Sequence, residues 1–206
     1  MRNLVFTSLF ISALIVSVTS IHANENDPQN AGQNADKTTV HDTTLINAAG
    51  TFSFGSDSFK DGDTLSMKHV FNSFGCSGKN ISPELHWANP PKGTKSYVLT
   101  VYDPDAPTGS GWWHWTAYNI PLTTTSLKEG EKLPASAGQG RTDFGKPGYG
   151  GPCPPPGNSP HHYVFTLYAI KEAKLPLNKE ASGAMVGFMA NANSIAKLSI
   201  TALFGR

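Results

Sequence analysis

Three short stretches of this 206-residue chain concentrate side chains able to bind a charged group or move a proton. Asp103-Pro-Asp-Ala-Pro107 sets two carboxylates two residues apart, with Pro104 and Pro107 restricting the backbone around them. At the end of a strand this arrangement aims one carboxylate into a cleft while the other braces the loop. Asp and Pro also favour turns for local reasons, so the pentapeptide alone says little. Gly111-Trp-Trp-His-Trp115 sets His114 among three tryptophans. Strand alternation predicts Trp113 and Trp115 on one face, with Trp112, His114 and Thr116 on the other. A lone histidine in apolar surroundings is more commonly a core residue satisfied by one hydrogen bond. Pro154-Pro-Pro-Gly157 leads into His161-His-Tyr163, where alternation places His161 with Tyr163 and turns His162 away. Converging on a Gly/Pro-rich rim, two imidazoles, a carboxylate and a phenol make a donor-rich pocket for a phosphate, carboxylate or similar oxyanion.

Other chemistries fit these residues less well. A zinc site from His86, His114, His161 and Asp103 would lack any His-x-x-x-His or Cys-x-x-Cys pairing, so no metal is expected. A serine hydrolase wants Gly-x-Ser-x-Gly, whereas Thr108-Gly-Ser-Gly111 lacks that spacing and leaves Ser110 as a loop residue. Gly138-Gln-Gly140 has no strand and helix correctly placed around it for dinucleotide binding, and no cofactor is expected.

The elements that must position these groups are mostly strands. Tyr97–Tyr102, Trp113–Ile120 and Tyr163–Ile170 are β-branched and aromatic runs bounded by Gly, Pro and Asp. Shorter strands are predicted at Thr51–Phe54, Leu85–Trp87 and Ser199–Phe204, giving a mainly β, antiparallel architecture. One helix near the C-terminus is read from Met185, Phe188, Met189, Ala192, Ile195 and Ala196, with Ser182 as its cap and the two methionines packed into the core. The Gly/Pro-rich segment from Gly138 to Pro160 runs straight into the strongest strand, so it reads as a rigid, shaped loop rather than a linker.

Residues 1–23 read as a secretory signal, with Arg2, an apolar run from Leu4 to Val18 and a small residue at Ala23. The run is too short and too interrupted for a comfortable bilayer span. Residues 24–44, rich in Asn, Asp, Gln and Thr, read as a disordered polar spacer, and 45–206 as one domain. A periplasmic or secreted location follows from the leader. With 16 basic and 15 acidic residues and no basic cluster, no nucleic-acid partner is expected. Export would bring Cys76 and Cys153 into an oxidising compartment, which favours a disulfide over two buried free thiols.

Asn80-Ile-Ser-Pro-Glu-Leu-His-Trp87, Asp103-Pro-Asp-Ala-Pro107, Trp112-Trp-His114 and Pro154-Pro-Pro-Gly157 with His161-His-Tyr163 resemble, in order, the signature segments of the phosphatidylethanolamine-binding protein family. The resemblance spans Phe52 to Arg206. Gly109–Trp115 and the Ala184–Arg206 ending are similar to the bacterial YbhB/YbcL, Raf-kinase-inhibitor-like branch, and the two-cysteine exported form to its periplasmic members. It implies a β-sandwich-like fold around a large central antiparallel sheet, with a small anion pocket near one edge. By the same resemblance Asp103, His114, His161 and Tyr163 are pocket residues, Trp112 and Pro154 are walls, Asp105 braces the loop, and Ala106–Pro107 is a cis peptide. Trp113 stands where eukaryotic members often carry a second histidine, and Cys153 where glycine is common.

The function expected is binding of a small anionic ligand, such as phosphate or phosphoethanolamine, without turnover. Two alternatives stand beside it: a protein-interaction or inhibitor module in which the pocket is incidental, and a hydrolase or phosphoryl-transfer enzyme using His/Asp acid–base chemistry. No nucleophile or metal set is evident for the latter.

Overall fold

The computed structural model describes Ile46–Asn47 and residues 50–206. The expected leader, 1–23, and spacer, 24–44, lie outside the described residues. In chain order the strands are β1 Ile46–Asn47, β2 Gly50–Thr51, β3 Ser53–Gly55, β4 Leu85–Ala88, β5 Ser96–Asp103, β6 Trp112–Pro121, β7 Ser126–Leu127, β8 Gly138–Gln139, β9 His161–Ile170 and β10 Ser194–Phe204. Among the described residues one helix, α1 Gly183–Asn193, precedes the last strand. No helix there is long and apolar enough to cross a membrane.

Among the described residues every pairing between these strands is antiparallel, with isolated parallel bridges at Thr64–Leu203 and Arg141–Ser182. The central sheet has the order β10-β9-β5-β6-β8, a smaller one runs β3-β4-β7, and β1 and β2 form a ribbon. The central strands read as continuous apolar runs because both sheet faces are covered. One face brings Leu99, Phe165 and Leu167 against Leu85, Trp87 and Leu127 of the small sheet. On the other, Val98, Tyr118, Tyr168 and Ile170 pack under α1 through Val186 and Ala190. Each large apolar side chain buried this way contributes roughly 1.5–3 kcal/mol. The mainly β, sandwich-like expectation is met.

The helix corrects a detail. Ser182 caps it as expected, its hydroxyl accepting from the Met185 amide at 3.2 Å. The buried stripe, however, is Gly183, Val186, Gly187 and Ala190. Met185 and Phe188, read from the sequence as inward, are 50% and 67% exposed. The cause is Trp113: its indole lies so close that a Cβ on Gly183 would overlap the ring, and one on Gly187 would stand 2.9 Å from it. Only small residues fit that interface, whereas the periodicity was carried by large ones. The helix also ends earlier than its apolar pattern, because Ser194 turns extended (φ −79°, ψ 142°) and starts β10, placing Ile195 and Ala196 on a strand.

Cys76 and Cys153 form a disulfide with Cα atoms 5.9 Å apart, joining loops 77 residues distant in sequence. Replacing either cysteine is expected to cost about 2 to 5 kcal/mol. Equal melting temperatures with and without reductant would contradict that. Gly183→Ala is expected to lower stability by about 1 to 3 kcal/mol by overpacking Trp113, despite alanine's better helix propensity. An unchanged or raised melting temperature would show that the interface has slack.

Candidate functional site

Asp103 closes β5 with its carboxylate 3% exposed as a residue. Oδ1 accepts from the backbone amides of Asp105 (2.8 Å) and Ala106 (3.1 Å), while Oδ2 meets His161 Nδ1 at 2.8 Å. Burial of a carboxylate is tolerated only with such partners. Two residues on, the Asp105 side chain leaves the pocket and reaches β9: its Oδ2 accepts from both the amide and Nδ1 of His162, each at 2.7 Å. Although partial burial pushes the Asp105 carboxyl up, these two His162 contacts hold it below its ordinary value. The loop from 104 to 110 is therefore tied to the start of β9 by two adjacent Asp–His pairs, one buried and one exposed.

His114 owes its orientation to a bulge. Val101 pairs with Trp115 and Tyr102 with Trp113, so His114 is the extra residue on β6. Strict alternation would have kept Trp113 and Trp115 together; instead Trp113 lies under α1 and stacks on Tyr102, while Trp115 joins the opposite core beside Tyr149. The His114 ring packs edge-on to Phe144 and Tyr163, with centroids 5.2 and 5.0 Å away. Its Nδ1 donates to the Gly150 carbonyl at 2.7 Å, leaving Nε2 as the remaining ring nitrogen. That carbonyl is fixed by Asn80, whose side chain donates to Tyr149 O (3.1 Å) and accepts from the Gly151 amide (2.7 Å). Gly151 runs so close to the backbone of His69 and Phe71 that a Cβ there would overlap it. Burial drives the His114 pKa down to about 4, against the opposing pull of the Gly150 carbonyl and the Asp103 charge. The ring is neutral at physiological pH.

These groups line one pocket of about 230 Å³. Asp103, Trp112, His114, Pro154, His161 and Tyr163 all contribute to its lining. Neither Lys nor Arg lines it. Two donors on its walls, Trp112 Nε1 and Tyr163 Oη, are buried, and the Cys153 backbone lies against the Tyr163 hydroxyl. Burial raises the Tyr163 pKa and Asp103 adds to the effect, so the phenol keeps its proton.

Four placements differ from expectation or add to it. Asp105 does not line the pocket and serves the bracing role alone. Ala106–Pro107 is trans, since no peptide bond among the described residues is cis. The Asp103 carboxylate caps the turn through the Asp105 and Ala106 amides, so the loop turns with the isomer that proline ordinarily favours. Phe74 and Phe144 also form the walls, and no periodicity marks them because both sit in loops. His86, on β4, faces away with Asp57 and Glu84 in a surface cluster whose potential ligand atoms lie within 4.8 Å of one another.

Because His114 is held neutral, stability should fall as pH drops. The unfolded ring, at its ordinary pKa of 6.5, takes a proton that the folded ring refuses until about pH 4. The stabilisation is present above the unfolded value and is lost progressively between these limits, amounting to about 3 kcal/mol. His114→Asn, which keeps a donor for Gly150, should flatten that part of the stability–pH curve; an unaltered slope in denaturant titrations would argue against His114 as its source.

The family model described as phosphatidylethanolamine-binding protein matches residues 55–205. The UPF0098 protein YbcL of Escherichia coli K12 is 53% identical over 162 residues, covering 76% of this chain and 88% of the relative. The UPF0098 protein YbhB of the same organism is 50% identical over 154 residues, covering 72% and 97%. The crystal structure of E. coli YbcL, described as a new member of the mammalian PEBP family, superposes with a TM-score of 0.73 over 75% of this chain and 98% of that one. On sequence and fold alike, the chain belongs to the phosphatidylethanolamine-binding protein family, in its UPF0098 group.

Proposed function

We propose that this protein is an exported, non-catalytic binding protein for a small oxyanion, a phosphoryl or carboxylate group, held among Asp103, His114, His161 and Tyr163. The observation that carries the reading is the buried Asp103–His161 pair in a pocket that also holds two buried donors, Trp112 Nε1 and Tyr163 Oη. Asp103 spends its lone pairs on two amides and an imidazole, so it acts on the ligand through His161. An imidazole backed by a carboxylate is a good partner for an anion. The exported location is supported by the reading of residues 1–23 and by the Cys76–Cys153 disulfide.

Catalysis is the weaker reading because the hydroxyls lining the pocket are poorly placed as nucleophiles. Thr108 donates to the Gly111 carbonyl at 2.5 Å, and Tyr163 is held protonated. A protein-partner reading rests on no particular contact in the pocket.

Binding is coupled to a proton. His114 Nε2 presents a lone pair at neutral pH, so an oxyanion meeting it must bring a proton or cause the ring to take one up. Affinity therefore rises as pH falls. Calorimetric titration with phosphate, phosphoethanolamine and acetate at about pH 5.5 and about pH 7.5 should show weaker binding at the higher value, by up to about tenfold per pH unit. His114→Ala should reduce that dependence, and His161→Ala should abolish saturable binding. A pH-independent affinity, or full binding by His161→Ala, would overturn this account.

A further inference from the structure

The pocket is much larger than the group its polar end can hold. An apolar cavity of roughly 150 Å³ accommodates a benzene ring, whereas this one measures about 230 Å³ and is lined by Phe74, Phe144 and Trp112 as well as by Asp103, His114 and His161. Inorganic phosphate or acetate would fill only part of it. The remaining wall is aromatic and continuous: Phe144 stands 5.5 Å from Trp112, 5.2 Å from His114 and 5.8 Å from Phe74, centroid to centroid.

Phe74 is the unusual member of this wall. It is 65% exposed, although it lines the pocket. Its backbone has φ +56°, a left-handed conformation that is an outlier for a bulky side chain and persists only where the surroundings enforce it. Three constraints do so. The Cys76–Cys153 disulfide joins its loop to the Pro-rich loop that also lines the pocket. The Arg206 guanidinium donates to Pro154 O (2.5 Å) and Gly75 O (2.9 Å), strapping the same two loops. Packing on Phe71, with centroids 5.5 Å apart, fixes the ring. An exposed aromatic held in strain by a disulfide and hydrogen-bonded straps is poorly explained by stability alone, because its ring buries little.

Accordingly, we propose that Phe74 is a specificity-determining residue and that the ligand class is an acid bearing an apolar group of about ring size, its acid at the His161 end and its apolar part against Phe74, Phe144 and Trp112. This deepens the oxyanion reading above and rests on it. Such a ligand also resolves an electrostatic difficulty, since a monoanion burying carbon beside aromatic faces suits an Asp-containing, Lys- and Arg-free site better than a dianion does.

The test compares acetate with benzoate and cyclohexanecarboxylate on the oxidised full chain, by calorimetry at about pH 5.5. Benzoate should bind at least about tenfold more tightly than acetate. Phe74→Ala should remove most of that advantage, read as the benzoate-to-acetate affinity ratio within each variant, and Phe74→Tyr should keep it. Cyclohexanecarboxylate should share the gain if apolar area is what counts; failing to do so would narrow the class to aromatic acids. Equal affinities for acetate and benzoate in the wild type, or an undiminished benzoate preference in Phe74→Ala, would overturn the inference. If acetate still binds and is lost in His161→Ala, the oxyanion reading survives that failure. If none of the acids binds, both fall.

Discussion

The carboxylate of Asp103 is buried, charged groups are costly to bury, and the surrounding structure is organised around compensating it. Its oxygens engage a turn on one side and an imidazole on another. Those same contacts define the end of β5, the course of the following loop and the ring orientation of His161. Moving any of the three would leave a buried charge short of a partner. The constraint thus converts a local electrostatic requirement into the geometry of the pocket floor, and Asp105 with His162 repeats the tie at the surface, where it is weaker because solvent screens it.

A second chain of dependence runs through backbone rather than charge. Asn80 sits in a left-handed conformation (φ +53°) and clamps the segment Tyr149–Gly151; that segment presents the Gly150 carbonyl; the carbonyl fixes the tautomer of His114. The signature stretch beginning at Asn80 therefore contributes to the site without lining the pocket. Its influence is delivered by two peptide groups and one hydrogen bond.

Much of this was legible in the sequence, for identifiable reasons. The long strands were, because their β-branched and aromatic runs meet sharp Gly/Pro boundaries, and so was the convergence of Asp103, His114, His161 and Tyr163, because three strand ends carry them in recognisable segments. The face of α1 was not, since the decisive feature was absence of side-chain bulk at Gly183 and Gly187 opposite Trp113. Period-two reasoning kept Trp112 with His114 but failed beyond them, at Trp115, because a bulge depends on the partner strand's register and leaves no mark of its own. Phe74 and Phe144 escaped notice for a related reason: loop residues have no periodicity, and contacts distant in sequence, among them the disulfide and the Asp143–Trp113 hydrogen bonds, bring them to the pocket.

The bulge on β6 separates two neighbours that a linear sequence makes look equivalent. Position 113 belongs to the interface with the helix, and position 114 to the pocket. Each can therefore drift under its own selection: helix contacts can be retuned at 113 without altering the binding chemistry, and 114 can change its protonation behaviour without loosening the helix. A histidine at 113 would lie beneath the helix and add nothing to the pocket, so adjacent histidines in this segment should not be counted as two ligand groups on sequence alone.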